Sequence, residues 1–298
     1  MNFLHIYQNT PNGELLFYTL SDFLAFFTLV CTTARRFGIR IIGICPMYDH
    51  VHLLVEADSR EKVAAFVASY SRQYARFLNI TIQSSGQVFN HSFGCALKTG
   101  DKAIRTACSY LYNNPGEKGL CQRAEEYRWT FLAYAASKHP FSHKILLEKA
   151  SRPLRRALKG VDYFCSLNKP LTVFTLDRML DKLRPEETNQ LTDYIISAYN
   201  CVDYGTLLSF YGDYQTMCLA FASNQGKEYD IKEDFEPGTH RVYPEISSVL
   251  VKKLGFKNVK DIFKLSPDAQ TRLYHQLIYS THASDRQIRK YLRWRLTR

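Results

Sequence analysis

His50-Val51-His52 is the segment of this sequence best placed to do chemistry. It opens the run HVHLLVEA (50–57), whose β-branched and apolar residues read as a strand. Side chains at i and i+2 of a strand point to one face, so both imidazoles can approach a single cation while Val51 enters the core. Imidazole is the commonest side-chain metal ligand, and two of them leave positions open for a third ligand and a substrate oxygen. A pair of histidines satisfied by hydrogen bonds on a half-exposed strand is the alternative, and the H-x-H spacing alone does not exclude it. Two tyrosines, Tyr110 and Tyr112, stand further along in helical text. A phenol is a poor nucleophile at its free pKa near ~10, and becomes a useful one beside a polarised phosphate and a proton acceptor. Residues two apart on a helix point about 200° away from each other, so only one of the two can face the histidine strand. Asn114 lies one helical turn beyond Tyr110 on the same face; it also stands before Pro115, where Asn is a common helix C-cap.

Alternating strand and helix signals surround these residues. FLHIY (3–7) is a short strand, followed by the turn NTPNGE. Ser21 and Asp22 can cap a helix that runs to about Arg36, with Phe23, Phe27 and Val30 on one stripe and Gly38 as its stop. IRIIGICPM (39–47) and HVHLLVEA are strands separated by Tyr48 and Asp49, a hairpin-like length. A helix is expected over 60–78, a strand over 94–98 and a helix over 102–113, ended by Pro115 and Gly116. A mixed sheet with helices on one face fits that order.

Five segments resemble, in order, consecutive blocks of the REP-associated tyrosine transposases, single-strand transposases of the HUH endonuclease superfamily. FGIRIIGICPM (37–47) is similar to the family's Y-G-[VI]-x-[IL]-x-x-[YF]-C-x-M strand, and ICPMYDHVHLLVE (44–56) to its C-x-M-P-N-H-V-H-L-L-V segment. SGQVFNHSFGCALKT (85–99) resembles G-x-x-[FW]-x-x-x-[FY], SYLYNNPGEKGL (109–120) resembles R-Y-I-x-x-N-P-V-R-A-G-L, and EEYRWT (125–130) the E-[DE]-Y-x-W-[ST] tail. The resemblance covers residues 1 to about 135. It implies an α+β fold, an antiparallel ferredoxin-like (RRM-like) nuclease sheet with helices on one face. It implies Tyr110 as the nucleophile, His50, His52 and Asn114 as ligands of Mg²⁺ or Mn²⁺, and single-stranded or hairpin DNA as the partner. The sequence departs from the pattern at Tyr48 and Asp49, where the family has Pro and Asn; Asp49 reads as a turn residue or as an acceptor that orients His50. The Arg expected after Asn-Pro is missing, and Lys118 can replace its charge but not its bidentate geometry.

Lys and Arg total 39 against 28 Asp and Glu, a net charge of +11, which favours a polyanionic partner. The eight cysteines form no C-x-x-C pair, so zinc-ribbon and thioredoxin readings fail. No signal peptide or membrane-spanning run is visible, and a cytoplasmic, nucleoid-associated protein with reduced thiols is expected, a monomer rather than a dimer. The organisation expected is a nuclease domain over 1–138 and a basic, mainly helical region over 139–298. Helical text is read at 143–160, 174–183, 186–199, 204–223, 244–254, 267–280 and 284–295, with a polar loop or linker at 224–240. Lys144, Arg152, Arg155 and Arg156 lie on the first of these stretches, which Pro153 can kink. Residues 266–295 read as a helix-turn-helix that offers Arg286, Gln287, Arg289 and Lys290 to DNA, or as a basic helix packed on a bundle. Because the nuclease blocks precede residue 135, deletion from about 241 onward is expected to spare the chemistry.

The function expected is a metal-dependent endonuclease and transposase that nicks single-stranded DNA beside a hairpin through a 5′-phosphotyrosine intermediate, with strand rejoining open to it. A domesticated binder of structured DNA or RNA that no longer cuts is the alternative, and a helical scaffold for a protein partner rests on the C-terminal half alone.

Overall fold

The computed structural model describes residues 2–225 and 239–294. The first part of the chain folds as βαββαβ: β1 (Asn2–Asn9), α1 (Leu20–Phe37), β2 (Arg40–Pro46), β3 (His50–Ala57), α2 (Arg60–Thr81) and β4 (Gly94–Lys98). The sheet order is β2-β3-β1-β4, and all three pairings are antiparallel, so the sheet is ferredoxin-like and not mixed. Thr19, and not Ser21 or Asp22, is the N-cap of α1; its hydroxyl accepts from the Asp22 amide while the Asp22 side chain returns the bond. Gly38, at φ +59°, ends the helix as the sequence implies. The tight β2–β3 hairpin closes through the Met47 amide, which donates to the His50 carbonyl at 2.8 Å.

Strand alternation sorts the sheet into two faces with different coverings. Leu4, Ile6, Val51, Leu53 and Val55 face α1 and α2 and join the larger buried cluster. Cys45 and Leu54 face the other way, against α3 (Gly100–Glu117), whose Ile104, Ala107, Cys108, Leu111 and Tyr112 fill a second cluster. Helices α1 and α2 thus cover one face as expected, and α3 adds a layer on the opposite one. Gly43 makes that approach possible: a Cβ there would stand 3.2 Å from the Tyr112 hydroxyl and 3.4 Å from Leu111. Helix α3 also runs on through Pro115 to Glu117, so Asn114 lies inside the helix and is not its cap.

Eight further α-helices follow among the described residues: α4 (Arg152–Ser166), α5 (Val173–Leu180), α6 (Pro185–Tyr199), α7 (Tyr204–Ser209), α8 (Tyr214–Ser223), α9 (Val242–Lys252), α10 (Pro267–Ser280) and α11 (Asp285–Leu292). Two differ from the sequence reading. Pro153 sits in the first turn of α4, where its missing N–H costs nothing, so it starts the helix and does not kink one. The stretch 204–223 breaks into α7 and α8 around Gly212, at φ +89°. The expected loop at 224–240 lies largely outside the described residues.

The buried core does not divide at residue 138. The larger cluster holds Leu4 and Phe26 together with Leu191, Ile196, Tyr243, Ile246, Leu277 and Tyr291. The second joins α3 to Leu207, Met217 and Phe221 of α7 and α8. Lys260 Nζ stands 2.7 Å from Asp22 Oδ1, a buried ion pair that ties residues 259–264 to the start of α1. The four-stranded sheet and the helical half therefore share their hydrophobic interior. Among the described residues all eight cysteines are free, and no helix is long and apolar enough to cross a membrane.

Candidate active site

The second face of the sheet brings together residues that the sequence places far apart. Tyr7 pairs with His52 and Asn9 with His50, so the imidazoles of His50 and His52 emerge beside β1 on the face that α3 covers. Their ring centroids are 5.0 Å apart. Asn114, one turn along α3 from Tyr110, inserts its amide between them: Oδ1 lies 3.2 Å from His50 Nε2, and Nδ2 lies 3.4 Å from His52 Nε2. The Tyr110 ring stands edge-on to His52, with centroids 5.3 Å apart at 87°. It meets His5 in the same way, at 5.8 Å and 78°.

Each imidazole is held from behind. His50 Nδ1 donates to Asp49 Oδ1 at 2.6 Å, and His52 Nδ1 lies 3.3 Å from His5 Nε2. Asp49 is thus both a turn residue and the acceptor that orients His50, so the two sequence readings of it hold together. Burial alone would raise its carboxyl, but the His240 and His50 imidazoles hold it well below the usual carboxylate range. Burial, reinforced by the nearby His50, pushes His52 well below the usual imidazole range, so the ring is neutral near pH 7. Tyr112 points elsewhere. Its ring stacks on Phe221 at 4.9 Å, its hydroxyl donates to the Ile42 carbonyl at 3.4 Å, and burial holds its phenol well above the ordinary value.

Two imidazole nitrogens and an amide oxygen on one small area of the sheet are donors that could hold a divalent cation. No group of three His, Cys, Asp or Glu side chains in metal-holding geometry occurs among the described residues, and here the third donor is an amide. Two residues of the site were not apparent in the sequence. His5 alternates with Leu4 and Ile6 on β1, a pattern that marks its face but not its neighbours. His240, at the end of a polar stretch, carried no signal at all. Lys118, the expected substitute for a DNA-binding Arg, is buried, and its carbonyl accepts from the His240 amide and the Thr239 hydroxyl.

The expected DNA-binding residues do not join this site. Lys144, Arg152, Arg155 and Arg156 are exposed. They lie on α4 and the segment before it, which packs on α5 and α6; those two pack on α1, across the sheet from the histidines. Helices α10 and α11 pack together through a short turn. Several of the side chains proposed to read DNA are engaged within the fold. Gln287 completes the α11 capping box and donates to the Thr239 carbonyl at 3.1 Å. Arg289 pairs with Asp285 and lies over the Tyr274 and Trp294 rings. Lys290 Nζ sits over Gly13, and Arg286 is exposed.

Residues 21–114, which span α1 through the site helix to Asn114, match the family described as transposase, IS200 like. No curated protein matches the chain. A solved structure of a REP-associated tyrosine transposase bound to a REP hairpin is similar at 12% identity and a TM-score of 0.40, over 46% of this chain and 79% of that one.

Proposed function

We propose that this chain is a divalent-cation-dependent, single-strand-specific DNA endonuclease of the transposase type, with Tyr110 as its nucleophile. The match of residues 21–114 to IS200-like transposases supports a DNA transposase role at the coarser level. The observation that carries the finer reading is the convergence of Tyr110, His50, His52 and Asn114 on one face of the sheet. In the reaction, the Tyr110 oxygen attacks a backbone phosphorus, the phenol gives up its proton, and the P–O3′ bond breaks. The 3′ oxygen leaves as a hydroxyl after taking up a proton, and the 5′ phosphate remains on the tyrosine. The phosphotyrosine ester retains the energy of the broken linkage, so a 3′-OH attacking it can rejoin strands without a nucleotide cofactor.

A Mg²⁺ or Mn²⁺ ion held by His50, His52 and Asn114 would supply Lewis-acid polarisation of a non-bridging phosphate oxygen. The hydrogen-bond pattern suits such an ion. With the proton of a neutral His50 ring held on Nδ1 by Asp49, the Nε2 lone pair would face the lone pairs of Asn114 Oδ1 across 3.2 Å. Turning the amide over moves the conflict to His52 unless that ring also changes tautomer. A cation at this point would satisfy both atoms. Hairpin or single-stranded DNA is the proposed substrate, met in the cytoplasm where the nucleoid lies; the basic excess supplies the affinity.

Incubating the chain with labelled hairpin DNA, with and without Mn²⁺, tests this reading. Nicking with a covalent protein–DNA product only when Mn²⁺ is present supports it, together with loss of both in His50→Ala/His52→Ala while hairpin binding stays within a few-fold. A metal-independent mobility shift with no cleavage would assign the chain to the non-cutting binders instead.

A further inference from the structure

We propose that His240, delivered by the C-terminal helical region, is a positioning residue of the nuclease centre: through Asp49 it holds His50 with its Nε2 turned toward the cation. The inference rests on the cation-dependent reading above. Its basis is a chain of contacts. His240 Nε2 stands 3.5 Å from Asp49 Oδ1, the same oxygen that accepts the His50 Nδ1 proton at 2.6 Å. The His240 ring lies 6.0 Å from that of His50, centroid to centroid, and is enclosed by Tyr48 and Tyr243. Carboxylates behind a metal-binding histidine fix its tautomer and ring orientation, and partners of this kind tune metal affinity.

The placement of His240 is built from both sides of the site. Its amide donates to the Lys118 carbonyl at 2.9 Å, Thr239 Oγ1 donates to the same carbonyl, and Arg241 Nε donates to the Gly119 carbonyl. Residues 118 and 119 directly follow the helix that carries Tyr110 and Asn114. The segment 239–241 therefore clamps the end of α3 while its imidazole reaches the β2–β3 turn. A packing role alone does not account for a histidine here. The side chain is 7% exposed, and its Nδ1 has no hydrogen-bond partner among the described residues. An unmade bond at a buried nitrogen costs stability that a leucine or phenylalanine would not forfeit. Asp49 is the polar group that the imidazole serves.

The test is Mn²⁺ binding by the full chain, followed by the electron paramagnetic resonance signal of the free ion, for wild type, His240→Leu and His240→Gln, alongside thermal melts. His240→Leu is expected to bind Mn²⁺ about 10-fold or more weakly, while its melting temperature moves by the balance between an orphaned nitrogen removed and a partner of the buried Asp49 carboxylate lost. His240→Gln, whose Nε2 can donate to Asp49 in the imidazole's place, is expected to stay within ~3-fold of wild type. In a chain that also carries Asp49→Ala, adding His240→Leu should produce no further weakening, since the effect runs through the carboxylate. Wild-type affinity in His240→Leu overturns the proposal, as does weakening that persists undiminished in the Asp49→Ala chain. Equal loss of affinity and of melting temperature in the Leu and Gln variants also overturns it, by making the residue merely structural. A wild-type chain that takes up no Mn²⁺ overturns the cation-dependent reading itself, and the role of His240 with it; binding in wild type that His240→Leu leaves unchanged overturns only the latter.

Discussion

Lys260→Met should cost the protein about 3 kcal/mol of stability, because it breaks a buried ion pair that joins the C-terminal half to the first helix. Lys260 Nζ lies 2.7 Å from Asp22 Oδ1, and both side chains are almost wholly excluded from solvent. Removing one partner of such a pair leaves an uncompensated buried charge, at a cost of about 3–5 kcal/mol. Asp22 does not lose all its partners: Oδ2 still accepts from the Tyr18 and Thr19 amides, each at 2.9 Å. Those two bonds to the cap of α1 place the cost at the lower end of the range. Methionine keeps the volume of the lysine stem, so little of the loss comes from packing. At about 2–4 °C per kcal/mol for a domain of this order of size, the melting temperature should fall by ~6–12 °C. Combining Lys260→Met with Asp22→Asn removes the stranded charge and should recover at least ~1 kcal/mol. Urea and thermal melts of the three chains provide the measurement. Since the pair lies on the α1 side of the sheet, hairpin nicking per folded molecule should be unchanged at a temperature where each variant is folded. A loss below ~1 kcal/mol, or a double variant no better than the single one, would refute the reasoning.

Deleting residues 241–298 should abolish the folded state and with it the cutting, against the expectation from the motif positions alone. The deletion strips Tyr243, Ile246, Leu277 and Tyr291 from the larger buried cluster and strands Asp22; a truncated chain that still melts cooperatively and still nicks hairpin DNA would contradict the claim that the two parts share their interior. Binding to hairpin DNA should weaken steeply as salt rises and should exceed binding to a blunt duplex of equal length, because cations displace counterions and unpaired bases can stack on aromatic rings. Equal affinity for the duplex across a salt series would count against single-strand recognition.

The strands and their succession along the chain were legible because each is a short run with turn residues at both ends. GCALK and HVHLLVEA have the bounds in the structure that the sequence implies. Helical spacing separated Tyr110 from Tyr112, and the structure places the first beside the histidines and the second against Phe221. What the sequence did not disclose depends on contacts between distant segments. His5 reads as an ordinary strand residue until β1 is known to lie beside β3. His240 reads as the end of a loop until residues 239–241 are seen bonded to 118 and 119. The same limit applies to the shared interior: α1 is buried nearly all round, which no single stripe of apolar residues announces, because α5 and α6 cover the side that the sheet leaves open. Charge was the least informative signal. The basic residues of α4 form an exposed surface across the sheet from the site, and Arg289 is paired with its own helix.

The central claim is that Tyr110 carries the cleaved strand, and mass spectrometry of the protein–DNA product tests it most directly. Hairpin DNA is incubated with the full chain and Mn²⁺, the covalent product is digested, and the peptide bearing a nucleotide is sequenced. The account predicts the phosphate on Tyr110, with the product absent from Tyr110→Phe and retained in Tyr112→Phe, whose lost hydroxyl donates to the Ile42 carbonyl. DNA found on Tyr112 or on any other residue, or a product that survives in Tyr110→Phe, would contradict it.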